Sequence, residues 1–188
     1  MNERQTEVAD YITTYTKVHF TPLSPVKEDL RIEDIAHALS LMTRANGHFP
    51  EFYSVGQHCV ACCEEAIARG YGARLSLACL LHDAAEAYLA DVTRPVKAHM
   101  QQFQEIEERL LSVIYEHFLG EVLSEQEEAC VKDVDDTLLY HEFLHYMGEE
   151  LRKPEGSLRS TPVFETVPFA EVEKAYLALY RELTNQMK

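Results

Sequence analysis

The chain has 188 residues, of which 46% are hydrophobic, and a formal net charge of −15. That length fits one domain able to build its own core, and no uncharged apolar run is long enough to suggest a membrane span. The acidic balance speaks against general binding to DNA or RNA, which needs a basic footprint to release counterions. It still allows a small phosphorylated ligand, whose field is set locally by a metal and one or two arginines.

In chain order the pattern is helical nearly throughout. Residues 3–17 are predicted as a first helix, and the acids in "MNERQTEVAD" stand where a secretory leader would need an apolar stretch. A proline-containing loop, "TPLSPVKEDL", follows. "IEDIAHALSLM" spaces its apolar residues by three and four, with Glu33 and Asp34 in the first turn where they complement the helix dipole. After the polar turn "TRANGH", Ser54 and Gln57 form a capping-box pattern that opens a helix running to the Gly70 stop. The next helix is predicted from about Ala73 to Leu89. Thr93 and Pro95 mark another start, and "QEIEERLLSVIYEHF" is amphipathic up to Gly120. Ser124 and Glu127 open a helix to about Met147, residues 148–167 are irregular, and a last helix begins near Pro168. With no β-alternating run and no repeat, the expectation is a single all-α domain over residues 1–188. The part expected to hold its site, a metal-site core, lies at about 31–147 and its C-terminal helix at about 168–187.

Five cysteines, Cys59, Cys62, Cys63, Cys79 and Cys130, are odd in number and lie in apolar helical surroundings. "CVACC" contains one C-x-x-C spacing and no second pair completes a structural zinc site, so they read as reduced core residues of a cytoplasmic protein.

The segment "SLACLLHDAAEAYL" carries His82, Asp83 and Glu86 inside an otherwise apolar helix. Burying such groups unpaired is expensive, so they normally pair or bind a metal. Neighbouring positions on a helix lie about 100° apart, yet His82 and Asp83 can reach one ion seated over the groove between them. Further ligands must come from other helices, and His58 in "YSVGQHCV" and Asp135 in "VKDVDDTLLY" are the candidates. Two imidazoles and two carboxylates suit a divalent ion with water in its open positions. Asp136 competes with Asp135.

These stretches, with "RIEDIAHALSLMTRANGH" and "LLHDAAEAYLADVTRPVK", resemble the HD-domain metal-dependent phosphohydrolases, nearest to the 5′-deoxynucleotidase-like branch and its small bacterial and prophage-type relatives. The resemblance implies an all-α HD-domain helical bundle with His58, His82, Asp83 and Asp135 as metal ligands, and it favours Asp135 over Asp136. It implies one divalent ion (Mn, Co, Fe, Ni, Zn or Mg) and places Glu86 beside the metal-bound water. Arg44 and Asp91 fall where the family contacts substrate, Asp91 also near the leaving group, and His48 lies close enough to Arg44 to line the pocket. Ala90 departs from the family's usual glycine, and "TRANGH" lacks the aromatic that relatives place after the arginine. The expected activity is release of phosphate from a (deoxy)nucleoside 5′-monophosphate, with no nucleic-acid or membrane partner and a homodimer allowed. The alternatives are another nucleotide substrate (a triphosphate, a cyclic nucleotide or an alarmone) or a non-catalytic nucleotide-binding regulatory module.

"HEFLH", His141 to His145, also matches the H-E-x-x-H pattern of zinc proteases, in which Glu165 would supply a third ligand. Three fixed positions arise readily by chance in a chain rich in His and Glu, and the strands of that fold are missing from the pattern. Glu142 is instead expected to share a helix face with Asp135 and to support the site or pair with an arginine. Tyr53 and Tyr88 are aromatic candidates to flank a base.

Overall fold

The computed structural model describes residues 10–188. Helix α2 (Val55–Ala68) lies at the centre and packs against α1 (Ile32–Leu41), α3 (Ala73–Leu81), α6 (Glu125–Met147) and α7 (Phe169–Gln186). A one-turn helix α4 (Arg94–Lys97) leads into α5 (Gln101–Leu119), which covers α3. The fold is all-α: among the described residues the only sheet pairs Ile12–Thr13 with His19–Phe20. No helix among them is long and apolar enough to cross a membrane.

The centre belongs to α2 because its apolar residues surround it. Val55, Cys59, Ala61, Cys62, Cys63 and Ala66 are all buried, on more than one face, which is the pattern of a helix enclosed by others. Ser54 caps it by accepting from the Gln57 amide at 3.0 Å. The Gln57 side chain does not complete the expected box; it donates instead to the carbonyls of Val163 and Glu165. At the far end Glu65 accepts from Arg69 and from the amides of Arg159 and Ser160. These bonds lay the irregular stretch 148–167 along the central helix. Gly56 permits α1 to come close: a Cβ there would stand 2.9 Å from the Ser40 nitrogen.

Two sequence expectations are corrected. The part of the predicted 3–17 helix within the described residues is a hairpin; residues 3–9 lie outside them. "YITTYTKVHF" is rich in β-branched and aromatic residues, which favour strands, and Lys17 takes a left-handed turn with φ 67°. The buried Asp34 side chain accepts from the Thr16 amide at 2.6 Å and its hydroxyl at 2.9 Å, anchoring the hairpin to α1.

The predicted 73–89 helix ends at Leu81, eight residues early. A continuing helix would give the Cys79 carbonyl to the Asp83 amide. Here the His82 side chain lies on that carbonyl, Nδ1 to O at 2.8 Å. Asp83 leaves helical geometry (φ −100°, ψ 12°), and Ala84–Ala87 tighten into a 3-10 turn. The α5 and α6 boundaries follow the sequence signals closely, with Gly120 and Gly148 as left-handed stops and Ser124–Glu127 forming a complete capping box.

Candidate metal centre

Four segments converge beside the break after α3. Helix α2 brings His58, fully buried; the end of α3 brings His82 and Asp83; α6 brings Asp135. His58 Nε2 lies 3.2 Å from His82 Nε2, 3.2 Å from Asp135 Oδ1 and 3.9 Å from Asp83 Oδ2. His82 Nε2 lies 3.3 Å from Asp83 Oδ2 and 3.8 Å from Asp135 Oδ1. The fourth segment is the turn after α1, Arg44–Gly47, in which Ala45 and Asn46 take left-handed backbone angles (φ 52° and 50°). For alanine that conformation is strained. It is held by the Arg44 amide on the Tyr53 carbonyl and the Val55 amide on the Met42 carbonyl, and it aims Arg44 inward.

Tautomers follow from the partners of the other ring nitrogens. His58 Nδ1 faces a carboxylate oxygen of Glu142 at 2.5 Å, and His82 Nδ1 faces the Cys79 carbonyl. Both partners only accept, so each Nδ1 carries the hydrogen and each Nε2 presents a lone pair. Two lone pairs and two carboxylate oxygens thus point into one small space, an arrangement that a cation satisfies. A proton can stand in: burial opposes charge on His82, but Asp83 and Asp135 outweigh it and raise the imidazole to about 9. Asp83 and Asp135 are both held below the ordinary carboxylate range, the histidines and Arg44 overcoming the effect of burial.

The sulfur atoms behind the histidines belong to the same cluster. His58, Cys62 and His82 form one group whose donor atoms lie within 4.8 Å of one another, and Cys59, His82 and Asp83 form another. These buried His, Cys and Asp groups can hold a metal ion. Assigning the cysteines to core packing alone is therefore incomplete, since Cys62 Sγ is 3.4 Å from His58 Nε2.

Glu142 supports the cluster from α6. Fully buried, it accepts from His58 with one oxygen and from Arg44 Nε at 2.8 Å with the other. Burial would raise its carboxyl, but Arg44 and His58 hold it at about 2. A carboxylate behind a ligating imidazole fixes both tautomer and orientation. Arg44 also stands 3.6 Å from Asp83 and from Asp135; those acids and Glu142 keep it charged against burial. Asp135 turns its second oxygen to Arg94 Nη2 at 2.6 Å, whereas Asp136 pairs outward with Arg94 and Lys132.

A cavity of about 600 Å³ opens beside this cluster. Its polar end carries Arg44, Asp83, Glu86, Asp91, Lys97 and Asp135; Phe49, Leu139, Phe143, Met147 and Leu151 form an apolar wall. His48, exposed at the mouth, lines it as expected. Glu86 is buried, and its Oε2 has no hydrogen-bond partner among the described residues. Burial and the charges of Asp83 and Asp91 push its carboxyl to about 10. Because side chains three apart eclipse in a 3-10 turn, Glu86 follows Asp83 rather than His82. Burial also raises Asp91, with Arg44 opposing. A smaller cavity of about 350 Å³ lies between the hairpin, α1 and the Ala87–Tyr88 turn, and none of these groups lines it.

Other sequence candidates lie elsewhere. His145 is exposed and stacks on Phe164, and neither it nor His141 joins a metal-capable group among the described residues. Glu142, the base in the "HEFLH" pattern, is engaged by His58 and Arg44. Glu165 is exposed and meets Gln57 through its carbonyl. Tyr53 is packed among Phe49, Tyr146 and Phe164, and Tyr88 stacks on Phe20; neither lines the larger cavity.

Over 163 residues the chain is 33% identical to the uncharacterized protein YfdR of Escherichia coli (strain K12), spanning 86% of this chain and 83% of that protein. The chain belongs to the YfdR family. It is also 39% identical over 120 residues to the uncharacterized protein RCAP_rcc00048 of Rhodobacter capsulatus, covering 60% of this chain and 61% of the relative. No family model matches.

Arg94, Lys97 and the apolar wall were not singled out from the sequence. For the two cations a signal existed in "TRPVK", which begins two residues after Asp91. For the wall there was none, because Phe49, Phe143 and Leu151 come from three separate segments.

Proposed function

We propose that the protein is an HD-type, metal-dependent phosphohydrolase that releases phosphate from a (deoxy)nucleoside 5′-monophosphate. One observation carries this reading: the lone pairs of His58 and His82 and the carboxylates of Asp83 and Asp135 face one another at the polar end of a nucleotide-sized cavity. In that reading these four residues are the ligands of one divalent ion, the mixed nitrogen and oxygen set suiting a first-row transition metal. The bound ion supplies a nucleophile near neutral pH by acidifying its water, and it offsets phosphate charge.

The chain's own residues do the rest. Glu86 offers its Oε2 as the acceptor for the proton that water gives up. With the Asp83 charge balanced by a cation, part of the push on Glu86 disappears and it moves toward the range of a general base. Arg44 has its Nε pinned by Glu142, so its two terminal nitrogens remain directed at the cluster to meet phosphate oxygens. Lys97, within 3.9 Å of Glu86, adds positive charge on the other side. Asp91 is placed to hydrogen-bond a sugar hydroxyl or assist the leaving alkoxide. The Phe49–Phe143 wall offers apolar area to a base.

The test combines metal analysis of the purified protein with phosphate release from nucleoside mono- and triphosphates, cyclic nucleotides and alarmones. Bound divalent ion and preferential turnover of monophosphates are expected. Preference for another member changes the substrate, and a metal-loaded protein that binds nucleotide yet hydrolyses none identifies the regulatory module instead.

A further inference from the structure

The cluster contains two sulfur donors, Cys59 and Cys62, that phosphate chemistry does not require. Cys62 lies one helical turn after His58 on α2, is 1% exposed and takes no part in the cavity wall. Residues four apart share a helix face, and its Sγ reaches to 3.4 Å from His58 Nε2. A tetrahedral ion with bonds of about 2.0–2.1 Å to nitrogen and 2.3 Å to sulfur sets its donors roughly 3.3–3.5 Å apart. The His58–His82 separation of 3.2 Å is close to such an edge. Cys62 Sγ, 3.4 Å from His58 Nε2, 3.9 Å from its Nδ1 and within 4.8 Å of the His82 donor, lies beside the ring, and a turn of the side chain is needed to bring it into line with the Nε2 lone pair. Asp135 Oδ1, 3.2 Å from His58 Nε2, is in reach as a fourth donor.

We infer that His58, Cys62 and His82 form a second, sulfur-containing donor set that captures a thiophilic divalent ion such as zinc or cadmium, in competition with the carboxylate-containing set. The inference rests on the proposed reading of this site, because the two sets share both histidines. Soft thiolate ligands select zinc over manganese and magnesium. As the sulfur–metal bond forms, the thiol proton passes to solvent. An ion held this way is drawn toward the core side of the histidines, away from the cavity that Glu86 and Arg44 line. Occupancy by a soft ion then excludes the harder one, and the choice of metal becomes a control on the site.

The experiment titrates the full-length metal-free protein with cobalt(II), zinc(II) and manganese(II). Wild type is expected to show a sulfur-to-cobalt charge-transfer band in the near ultraviolet. Cys62→Ser and Cys62→Ala should lose the band and weaken zinc binding about tenfold or more, with manganese affinity unchanged. Retained manganese binding also shows that the variants fold. Cys59→Ser should keep the band, which separates the two cysteines of the cluster. A wild-type protein without the band, a band surviving both Cys62 substitutions, or zinc and manganese affinities that fall together overturns the inference. Absence of manganese binding in wild type with the cobalt band present would sink the carboxylate-containing reading and leave the sulfur set standing.

Discussion

Helix α2 and the stretch His82–Asp91 both deliver groups to the same cluster, by opposite means. Helix α2 is regular, capped by Ser54 and buried around His58, so packing places that imidazole and the Glu142 carboxylate orients it. The second stretch is broken: His82 takes the carbonyl that would have continued α3, and the chain turns through Asp83 into a 3-10 turn. Adjacent residues on an unbroken helix diverge by about 100°, whereas here the Nε2 of His82 and an oxygen of Asp83 come within 3.3 Å. A regular helix suffices to present one donor. In this chain His82, Asp83 and Glu86 reach the cluster and its cavity from one short segment of irregular backbone.

The comparison breaks most completely at Asp83. Asp83→Ala removes a carboxylate that faces both imidazoles and Arg44, and the proposed ion should be lost while helix content persists. Metal analysis and circular dichroism check both, and full metal occupancy in the variant would exclude the assigned site. Next in size is Glu86→Gln, which keeps shape but removes the proton acceptor. General-base assistance contributes about 10²–10⁴-fold, so phosphate release should slow at least about a hundredfold with metal and nucleotide binding retained. Turnover equal to wild type would leave the cluster intact and remove Glu86 from the mechanism.

On the regular side, Gly56→Ala forces a methyl against the backbone of Leu39 and Ser40. Overpacking of this kind costs about 1–3 kcal/mol, to be read from denaturant midpoints; an unchanged midpoint would mean that α1 and α2 separate freely. The smallest effect belongs to His141→Ala and His145→Ala, which should leave metal content as it is. Loss of the ion in both would revive the protease pattern.

The helices were largely legible, because apolar spacing, Ser124–Glu127 and the glycine stops are local signals. The centre was legible as a set of residues: His58, His82, Asp83 and Asp135 stand together, with Arg44, Glu86, Asp91 and His48 around the adjoining cavity. Its geometry was not. Apolar periodicity continues past His82 to Leu89, so nothing in the pattern announces that a side chain will claim the Cys79 carbonyl. Residues 10–17 form a hairpin and not a helix for a related reason: the contact that anchors them, from Thr16 to Asp34, spans eighteen residues, and no local stretch records it.

By itself, then, the sequence determined an all-α chain, the boundaries of its capped helices, and which ionisable residues had to find partners in an apolar setting. Those follow from local propensity and from the cost of burying charge, which act wherever the residue stands. The sequence already drew Glu142 toward the site and, through the resemblance, Asp135 ahead of Asp136. Only the tertiary structure decided that Glu142 engages His58 and Arg44 at once, that Asp136 pairs outward with Arg94 and Lys132, and that Cys62 Sγ lies 3.4 Å from His58 Nε2. Each of these depends on the rotation of one helix against another. That rotation is set by how whole faces pack, and no local stretch of residues records it.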